Sequence, residues 1–184
     1  MNVLNPLSFD EAQSETQEIF TALKSKIGMV PNLYAAMGVS SKLLGGYLAF
    51  VETLKSGEFS AKEYEAIALV TSEANNCEYC ISAHTALGKM QGFTEEETID
   101  IRQNNSANVK LNTLVNLTNE LIKTKGNPTD EKSKAFLLAG YSKAAFAELI
   151  AIVSLTTITN TIHHNGNFAI DFPIAQTLNT KQVA

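Results

Sequence analysis

Two cysteines and a histidine lie close together in the segment Cys77-Glu-Tyr-Cys80, which His84 follows after four residues. In a helix, residues at i, i+3 and i+7 share one face, so these three side chains should point the same way. A thiol in the first turn of a helix lies in the positive field of unpaired N–H groups, which favours the thiolate, and a neighbouring imidazole can take its proton. The segment therefore predicts dithiol redox chemistry.

Two features of this segment favour different thiols as the nucleophile. Cys77 is nearer to the helix start, where we expect Asn75 or Asn76 to be the N-cap, so the helix dipole favours Cys77 as the thiol of lower pKa. Cys80 stands four residues before His84, so acid–base pairing favours Cys80. The residues alone leave both assignments open.

Structural and metal-binding interpretations of the same residues are weaker. Packing alone does not require a CxxC pair, a helix start and a histidine on one face together. Zinc would take Cys77, Cys80 and His84, but a structural zinc site normally has four protein ligands, and the second half of the chain offers only His163 and His164. Haem attachment needs a histidine directly after the second cysteine, where this chain has an isoleucine. Redox chemistry therefore ranks first.

Three polar residues near the end of the last apolar helix receive no catalytic role from the sequence. They are Asn160, His163 and His164. A histidine at a helix C-terminus is favoured by the helix dipole alone. We expect Asn160 to cap or cross-link helices in the core.

The elements that must position the cysteines are predicted to be helices throughout. Apolar residues recur at helical spacing, and Ser8/Glu11, Ser60/Glu63 and Thr94/Glu97 have capping-box spacing at helix starts. No segment shows the strict alternation of a half-buried strand. The sequence therefore predicts an all-α fold, with helices over about 11–27, 41–54, from 61, 77–90, from 94, 109–125 and 143–163.

Length and composition favour one domain over residues 1–184, with its core at about 8–175. The ten glycines and four prolines provide few turns for an all-β fold, and no Pro-, Gly- or Ser-rich linker divides the chain. A short polar run at 104–108 allows an alternative division into two helical lobes, but an ordinary loop is as long. We expect residues 1–7 and about 176–184 to be loosely held.

Charge and hydropathy argue against two classes of partner. The net charge is −5, and no basic cluster is present that would neutralise a phosphate backbone, so nucleic acid is not expected. The start of the chain lacks a secretory pattern, and the apolar stretch 144–158 is interrupted by Glu148 and shorter than the roughly 18 residues of a spanning helix. We therefore expect a cytoplasmic protein without a membrane anchor.

Around the cysteines the sequence resembles the carboxymuconolactone decarboxylase-like superfamily, and within it the AhpD-like alkylhydroperoxidase branch. The family pattern is a glutamate, a CxxC pair twelve residues later and a histidine four residues after the second cysteine, which Glu65, Cys77, Cys80 and His84 match. The segment GMVPN at 28–32 is similar to a Gly-x-x-Pro-Asn segment of peroxidase-related members. The segment AGYS at 139–142, before the long apolar helix, resembles the family's C-terminal part.

The resemblance implies an AhpD-like helical bundle that acts as a thiol-dependent (alkyl)hydroperoxide reductase without a metal or an organic cofactor. It implies that Cys80 attacks the peroxide, that Cys77 closes a disulfide on the resulting sulfenic acid, and that an external dithiol reopens this disulfide. His84 would accept the Cys80 proton, and Glu65, otherwise a solvated charge, would orient His84. It also implies a homo-oligomer, a trimer or hexamer, which agrees with the almost continuously apolar stretch 144–157.

One residue departs from the family pattern. Well-studied members have a second histidine directly before the second cysteine, where this chain has Tyr79. A tyrosine is a poor base at neutral pH but can donate a hydrogen bond, so we expect weaker peroxidase activity or another substrate. The alternatives are a disulfide oxidoreductase acting on partner proteins and a lactone decarboxylase. The namesake decarboxylases do not depend on a CxxC pair.

Overall fold

The structure is a computed structural model that describes residues 3–178. Within this range it contains nine α-helices and no strand, which confirms the predicted all-α class. The helices are α1 (Ser14–Ile27), α2 (Asn32–Met37), α3 (Ser41–Lys55), α4 (Ala61–Ala74), α5 (Glu78–Met90), α6 (Glu95–Arg102), α7 (Val109–Lys123), α8 (Asp130–Leu138) and α9 (Lys143–Gly166).

Of the three helix starts predicted from capping-box spacing, two are confirmed and one is wrong. Ser60/Glu63 and Thr94/Glu97 form both reciprocal bonds and begin α4 and α6 as predicted. Ser8 also donates to the Glu11 carboxylate, but only an isolated turn forms there, so the prediction that α1 begins near Glu11 is wrong. Helices α2 and α8 were not predicted, because six and nine residues are too few for a clear apolar period.

Helix α4 lies at the centre of the fold. All its residues from 64 to 72 are buried, and it packs against α5, α6, α7 and α9. A helix buried on all sides carries any polar residue on it into the interior. This is why Glu65, which looks like a surface charge in the sequence, is only 6% exposed.

Helix α9 buries one stripe and exposes another. Buried residues recur along it at helical spacing, from Ala145 and Leu149 to Asn160 and His163, whereas Ile150 and Ile158 remain exposed. Among residues 3–178, α9 is the one helix long and apolar enough to cross a membrane by length and composition. Its buried stripe packs on α2, α3, α4, α5 and α7, as in the core helix of a globular protein.

Both described chain ends are attached to the helices, contrary to the expectation of loose termini. The amide of Val3 donates to the Asn165 carbonyl at 3.0 Å, and that of Leu7 donates to the Ala35 carbonyl at 3.2 Å. After α9, Arg102 donates to the carbonyl of Gln176 at 2.7 Å. The remainder of both predicted loose segments, residues 1–2 and 179–184, lies outside the described range.

A left-handed residue connects α4 to α5. Asn76 has a φ of +54°, and the amide of Cys77 donates back to the Ser72 carbonyl at 3.0 Å. This arrangement satisfies carbonyls at the end of α4 and reverses the chain in a few residues. It places Cys77 directly before the first turn of α5.

Replacement of Asn76 should test this turn. A β-branched side chain is strained at positive φ, so Asn76→Val should lower the free energy of unfolding by about 1 to 2 kcal/mol relative to Asn76→Gly. Urea denaturation of the two variants measures the difference. Equal stability of the valine and glycine variants would show that the left-handed conformation is not required.

Candidate active site

The two thiols meet at the start of α5. Cys77 is itself the N-cap of the helix, and its sulfur accepts a hydrogen bond from the backbone amide of Cys80 at 3.4 Å. The prediction that Asn75 or Asn76 caps the helix is therefore wrong, because both belong to the end of α4. The two sulfurs are 2.7 Å apart, and the residues are 0% and 2% exposed. A disulfide between them needs only a small movement.

Glu65 and His84 are in direct contact. The His84 Nδ1 atom lies 2.7 Å from the Glu65 Oε2 atom, and the carboxylate is the less exposed of the two groups. A carboxylate only accepts, so Nδ1 carries the ring proton and Nε2 is left as an acceptor. Within residues 3–178 no hydrogen bond joins the His84 ring to either thiol. Any proton transfer from Cys80 to His84 therefore needs an intervening water or a side-chain movement.

His163 also belongs to the site, which the sequence reasoning missed. It is only 7% exposed, and its Nε2 atom contacts the Phe168 carbonyl oxygen at 3.2 Å. Its Nδ1 atom is buried without a hydrogen-bond partner of good geometry, and the Cys77 thiol acts on this ring strongly enough to raise the pKa of His163. The signal was the spacing on α9, since the period of Leu149, Ile152, Thr156 and His163 assigns the histidine to the buried stripe.

Asn160 and Thr159 contribute α9's other contacts with the site. The Asn160 Oδ1 atom accepts from the Asn75 side chain at 2.8 Å, and its Nδ2 atom donates to Ser72 at 3.4 Å, which confirms the expected cross-link between helices. The Thr159 hydroxyl is 4.0 Å from the Cys80 sulfur. The last helix thus contacts the end of α4 and the second thiol.

The pKa values of the two thiols are displaced in opposite directions. The hydrogen bond to Cys80, together with His163, lowers the pKa of Cys77 against the opposing effect of burial. The same hydrogen bond to Cys77, together with burial, raises the pKa of Cys80. Two thiols in contact cannot both ionise easily, so the first negative charge of the pair belongs on Cys77.

Tyr79 attaches the chain after α9 to the site. Its hydroxyl donates to the Asp171 carboxylate at 2.6 Å and accepts from the Leu33 amide at 3.3 Å. Its ring packs against those of His163, at 5.2 Å between centroids, and Phe168, at 5.5 Å. Burial raises the pKa of Tyr79, so this residue holds the segment as a neutral hydrogen-bond donor.

The Gly-x-x-Pro-Asn segment has the same structural role. The backbone amide of Asn32 donates to the Asp171 carboxylate at 2.6 Å, and its side chain donates to the Ala169 carbonyl at 3.1 Å. These bonds connect the start of α2 to the segment after α9. Asp171 therefore accepts from two separate parts of the chain.

The site has an aromatic wall on the Cys80 side. The rings of Tyr34 and Tyr47 are 6.1 Å apart and pack in the same apolar cluster as both cysteines. Burial, together with the charges of Glu65 and Cys80, raises the pKa of Tyr34 to about 12. Within residues 3–178, this site included, no three His, Cys, Asp or Glu side chains converge as metal ligands would.

Removal of the Tyr79 hydroxyl should loosen the segment after α9. A hydrogen bond to a charged group is worth about 1.5 to 3 kcal/mol, so Tyr79→Phe should lower the free energy of unfolding by that order. Amide hydrogen exchange should also accelerate at residues 168–176. Asp171→Asn, which keeps an acceptor, should have a smaller effect. Unchanged exchange in Tyr79→Phe would contradict the attachment.

Comparisons with known proteins agree with this fold. Residues 42–115, which include Glu65, both cysteines and His84, match the sequence model of the carboxymuconolactone decarboxylase family. An uncharacterized peroxidase-related protein from Silicibacter sp. TM1040 superposes with a TM-score of 0.77 at 19% identity, over 91% of this chain and 92% of that chain. No curated protein matches the sequence.

Two further solved structures share the fold. A peroxidase-related protein from Ralstonia eutropha JMP134, described as an alkylhydroperoxidase AhpD core, gives a TM-score of 0.80 at 16% identity, over 93% of this chain and 94% of that chain. The debrominase Bmp8 in complex with 2,3,4-tribromopyrrole gives 0.77 at 16% identity, over 93% and 92%.

The helical bundle of this chain is similar to the fold of the AhpD-like structures. Residues 42–115 match the carboxymuconolactone decarboxylase family.

Proposed function

We propose that the protein is a thiol-dependent hydroperoxide reductase in which Cys77 and Cys80 form the redox pair. The observation that carries this proposal is the contact of the two thiols, 2.7 Å apart at a helix start, in a site that also contains the Glu65–His84 pair. Such a pair can pass from two thiols to a disulfide with little movement of the backbone.

The proposed reaction has three steps. One thiolate attacks the peroxide, the O–O bond breaks, and the sulfur becomes a sulfenic acid while an alcohol or water leaves. The second thiol attacks that sulfur, the S–O bond breaks, and water leaves as the disulfide forms. An external dithiol then returns two electrons by exchange. The resemblance assigns the first attack to Cys80 and the second to Cys77.

Burial favours a small substrate over a protein partner. Both cysteines are almost fully buried, so the disulfide of a folded partner protein cannot reach either sulfur without opening the site. A hydroperoxide needs room for only a few atoms. The disulfide oxidoreductase is therefore the second candidate, and lactone decarboxylation, which does not require the cysteine pair, is the third.

Peroxide consumption in the presence of a small dithiol tests the proposal. The wild-type protein should reduce organic hydroperoxides, and Cys77→Ser/Cys80→Ser should not. His84→Ala and Glu65→Ala should each lower the rate by about 10² to 10⁴, because a positioned acid–base partner contributes that much. His164→Gln, an exposed change nearby, is the matched control.

The same assay separates the alternatives. Turnover of a model protein disulfide without peroxide consumption would favour the oxidoreductase, and loss of carbon dioxide from a lactone that survives both Cys→Ser changes would favour decarboxylation. A halogenated pyrrole should be tested as a further substrate, because a debrominase has the same fold. Absence of peroxide consumption with every dithiol tried would refute the proposal.

We also propose that the protein is a homo-oligomer, with a second copy covering the groove between α7 and α9. This groove is mainly apolar and partly exposed, and its lining includes Leu121, Ile122, Ile150, Val153 and Ile158. In a ring of three chains, this groove of each copy would be covered by a different surface of the next copy, which closes the ring. Charged groups are few there, so desolvation would be favourable.

Light scattering at micromolar concentration measures the assembly. We expect a mass of three or six chains, and a mass near the 19.9 kDa of one chain would contradict the oligomer. Ile158→Glu should shift the mass to that of one chain, because it buries a charge in the groove. Leu138→Glu, at a residue that is 88% exposed and outside the groove, should leave the mass unchanged.

A further inference from the structure

We propose that Cys77, and not Cys80, is the thiol that attacks the substrate, and that His163 is the catalytic base that ionises it. This inference rests on the proposed function, since it assigns the first step of the same dithiol reaction. It reverses the order of attack that the resemblance implies. It also gives a chemical role to a histidine that the family pattern does not contain.

The first argument is the protonation of the His163 ring. Its Nε2 atom faces the Phe168 carbonyl oxygen at 3.2 Å, and a carbonyl oxygen only accepts hydrogen bonds. The proton of the neutral ring therefore lies on Nε2. The Nδ1 atom is left with a lone pair, which is the form required to accept a proton from a thiol.

The second argument is that the Nδ1 lone pair accepts no hydrogen bond within residues 3–178. The Nδ1 atom is buried, and within residues 3–178 it has no hydrogen-bond partner, although buried polar atoms in folded proteins rarely remain unpaired. The ring is held in place by Tyr79 and Phe168, at 5.2 and 5.0 Å between centroids. Transfer of a proton from Cys77 to Nδ1 would turn the unpaired atom into the donor of an ion pair.

The third argument is the charge environment of each sulfur. Cys77 caps a helix, accepts from the Cys80 amide and lies beside His163, so three positive or donor groups face it. Cys80 is 4.0 Å from the Thr159 hydroxyl and packs in the same apolar cluster as Tyr34 and Tyr47, and within residues 3–178 no hydrogen bond joins its sulfur to a histidine. The other charged group that acts on His163 is Glu78, an exposed residue, and it favours the protonated ring. The opposite pKa displacements of the two thiols agree with these contacts.

The first step then balances without an added group. The proton of Cys77 moves to the Nδ1 atom of His163, and the thiolate attacks one peroxide oxygen as the O–O bond breaks. The leaving alkoxide takes the proton from His163 and departs as an alcohol. Cys77 is now a sulfenic acid, oxidised by the two electrons that the peroxide has gained.

The second step uses the other thiol. The Cys80 thiol attacks the Cys77 sulfur and gives up its proton. The S–O bond breaks, and the leaving hydroxide takes a proton to become water. The external dithiol of the proposed function then restores both thiols.

Thiolate absorbance near 240 nm tests the assignment without requiring any reagent to reach the buried sulfurs. Reduced wild-type protein should show one thiolate at pH 7, below the ordinary thiol pKa of about 8.5. Cys77→Ala should abolish this signal. His163→Gln should move the titration midpoint to higher pH, because the cationic partner is lost, whereas the exposed matched control His164→Gln should leave it in place.

Three results of this titration would overturn the proposal. They are no thiolate at pH 7, a thiolate that survives Cys77→Ala, and equal midpoints for His163→Gln and His164→Gln. Circular dichroism of each variant shows that the fold is retained.

Single-turnover oxidation is a second test. Cys80→Ser should keep this oxidation and accumulate a Cys77 sulfenic acid that dimedone labels, and Cys77→Ser should lose oxidation. The opposite pattern would assign the attack to Cys80.

Failure of this inference differs from failure of the proposed function. Peroxide consumption with the thiolate on Cys80 would refute the assignment and leave the peroxidase standing. A His163-dependent thiolate on Cys77 in a protein that consumes no peroxide would refute the peroxidase and support Cys77 as the nucleophile for another small electrophile.

Discussion

The turn between α4 and α5 is the constraint on which the site depends. Asn76 takes the left-handed conformation there, and the chain reverses so that α5 packs along α4. Because of this reversal, Glu65 near the start of α4 faces His84 in the second turn of α5, at 2.7 Å. The same turn leaves Cys77 at the N-cap, in front of unpaired N–H groups. One local backbone conformation therefore sets both the field around the first thiol and the acid–base pair near the second.

The remainder of the site comes from the other end of the chain. Helix α9 brings His163 beside Cys77 and Thr159 beside Cys80, and the segment after it is attached through the hydrogen bond from Tyr79 to Asp171. These contacts cover the sulfurs, which excludes bulk water and strengthens each charge interaction around them. The substitution of tyrosine for the family's second histidine thus exchanges a base for a structural donor.

Oxidation of two thiols to a disulfide releases two protons. The site contains two histidines, and the ring proton lies on Nδ1 in one and on Nε2 in the other. The Glu65 carboxylate holds the proton of His84 on Nδ1, and the Phe168 carbonyl holds that of His163 on Nε2. Each ring thereby keeps one unprotonated nitrogen as an acceptor. In both cases the tautomer is set by a group that does not itself react.

The sequence by itself determined the helical class, the helix starts with complete capping boxes and the CxxC-His face, because these depend on contacts within a few residues. It did not determine that Glu65 is buried or that His163 reaches Cys77, since both depend on how helices distant in the chain pack together. The local pattern around Glu65 is that of a solvated helix start, and the dipole at the end of α9 explains a histidine there without any partner. Only the tertiary structure decided which polar side chains lose water and meet a thiol, because burial is a property of packed surfaces and not of spacing along the chain.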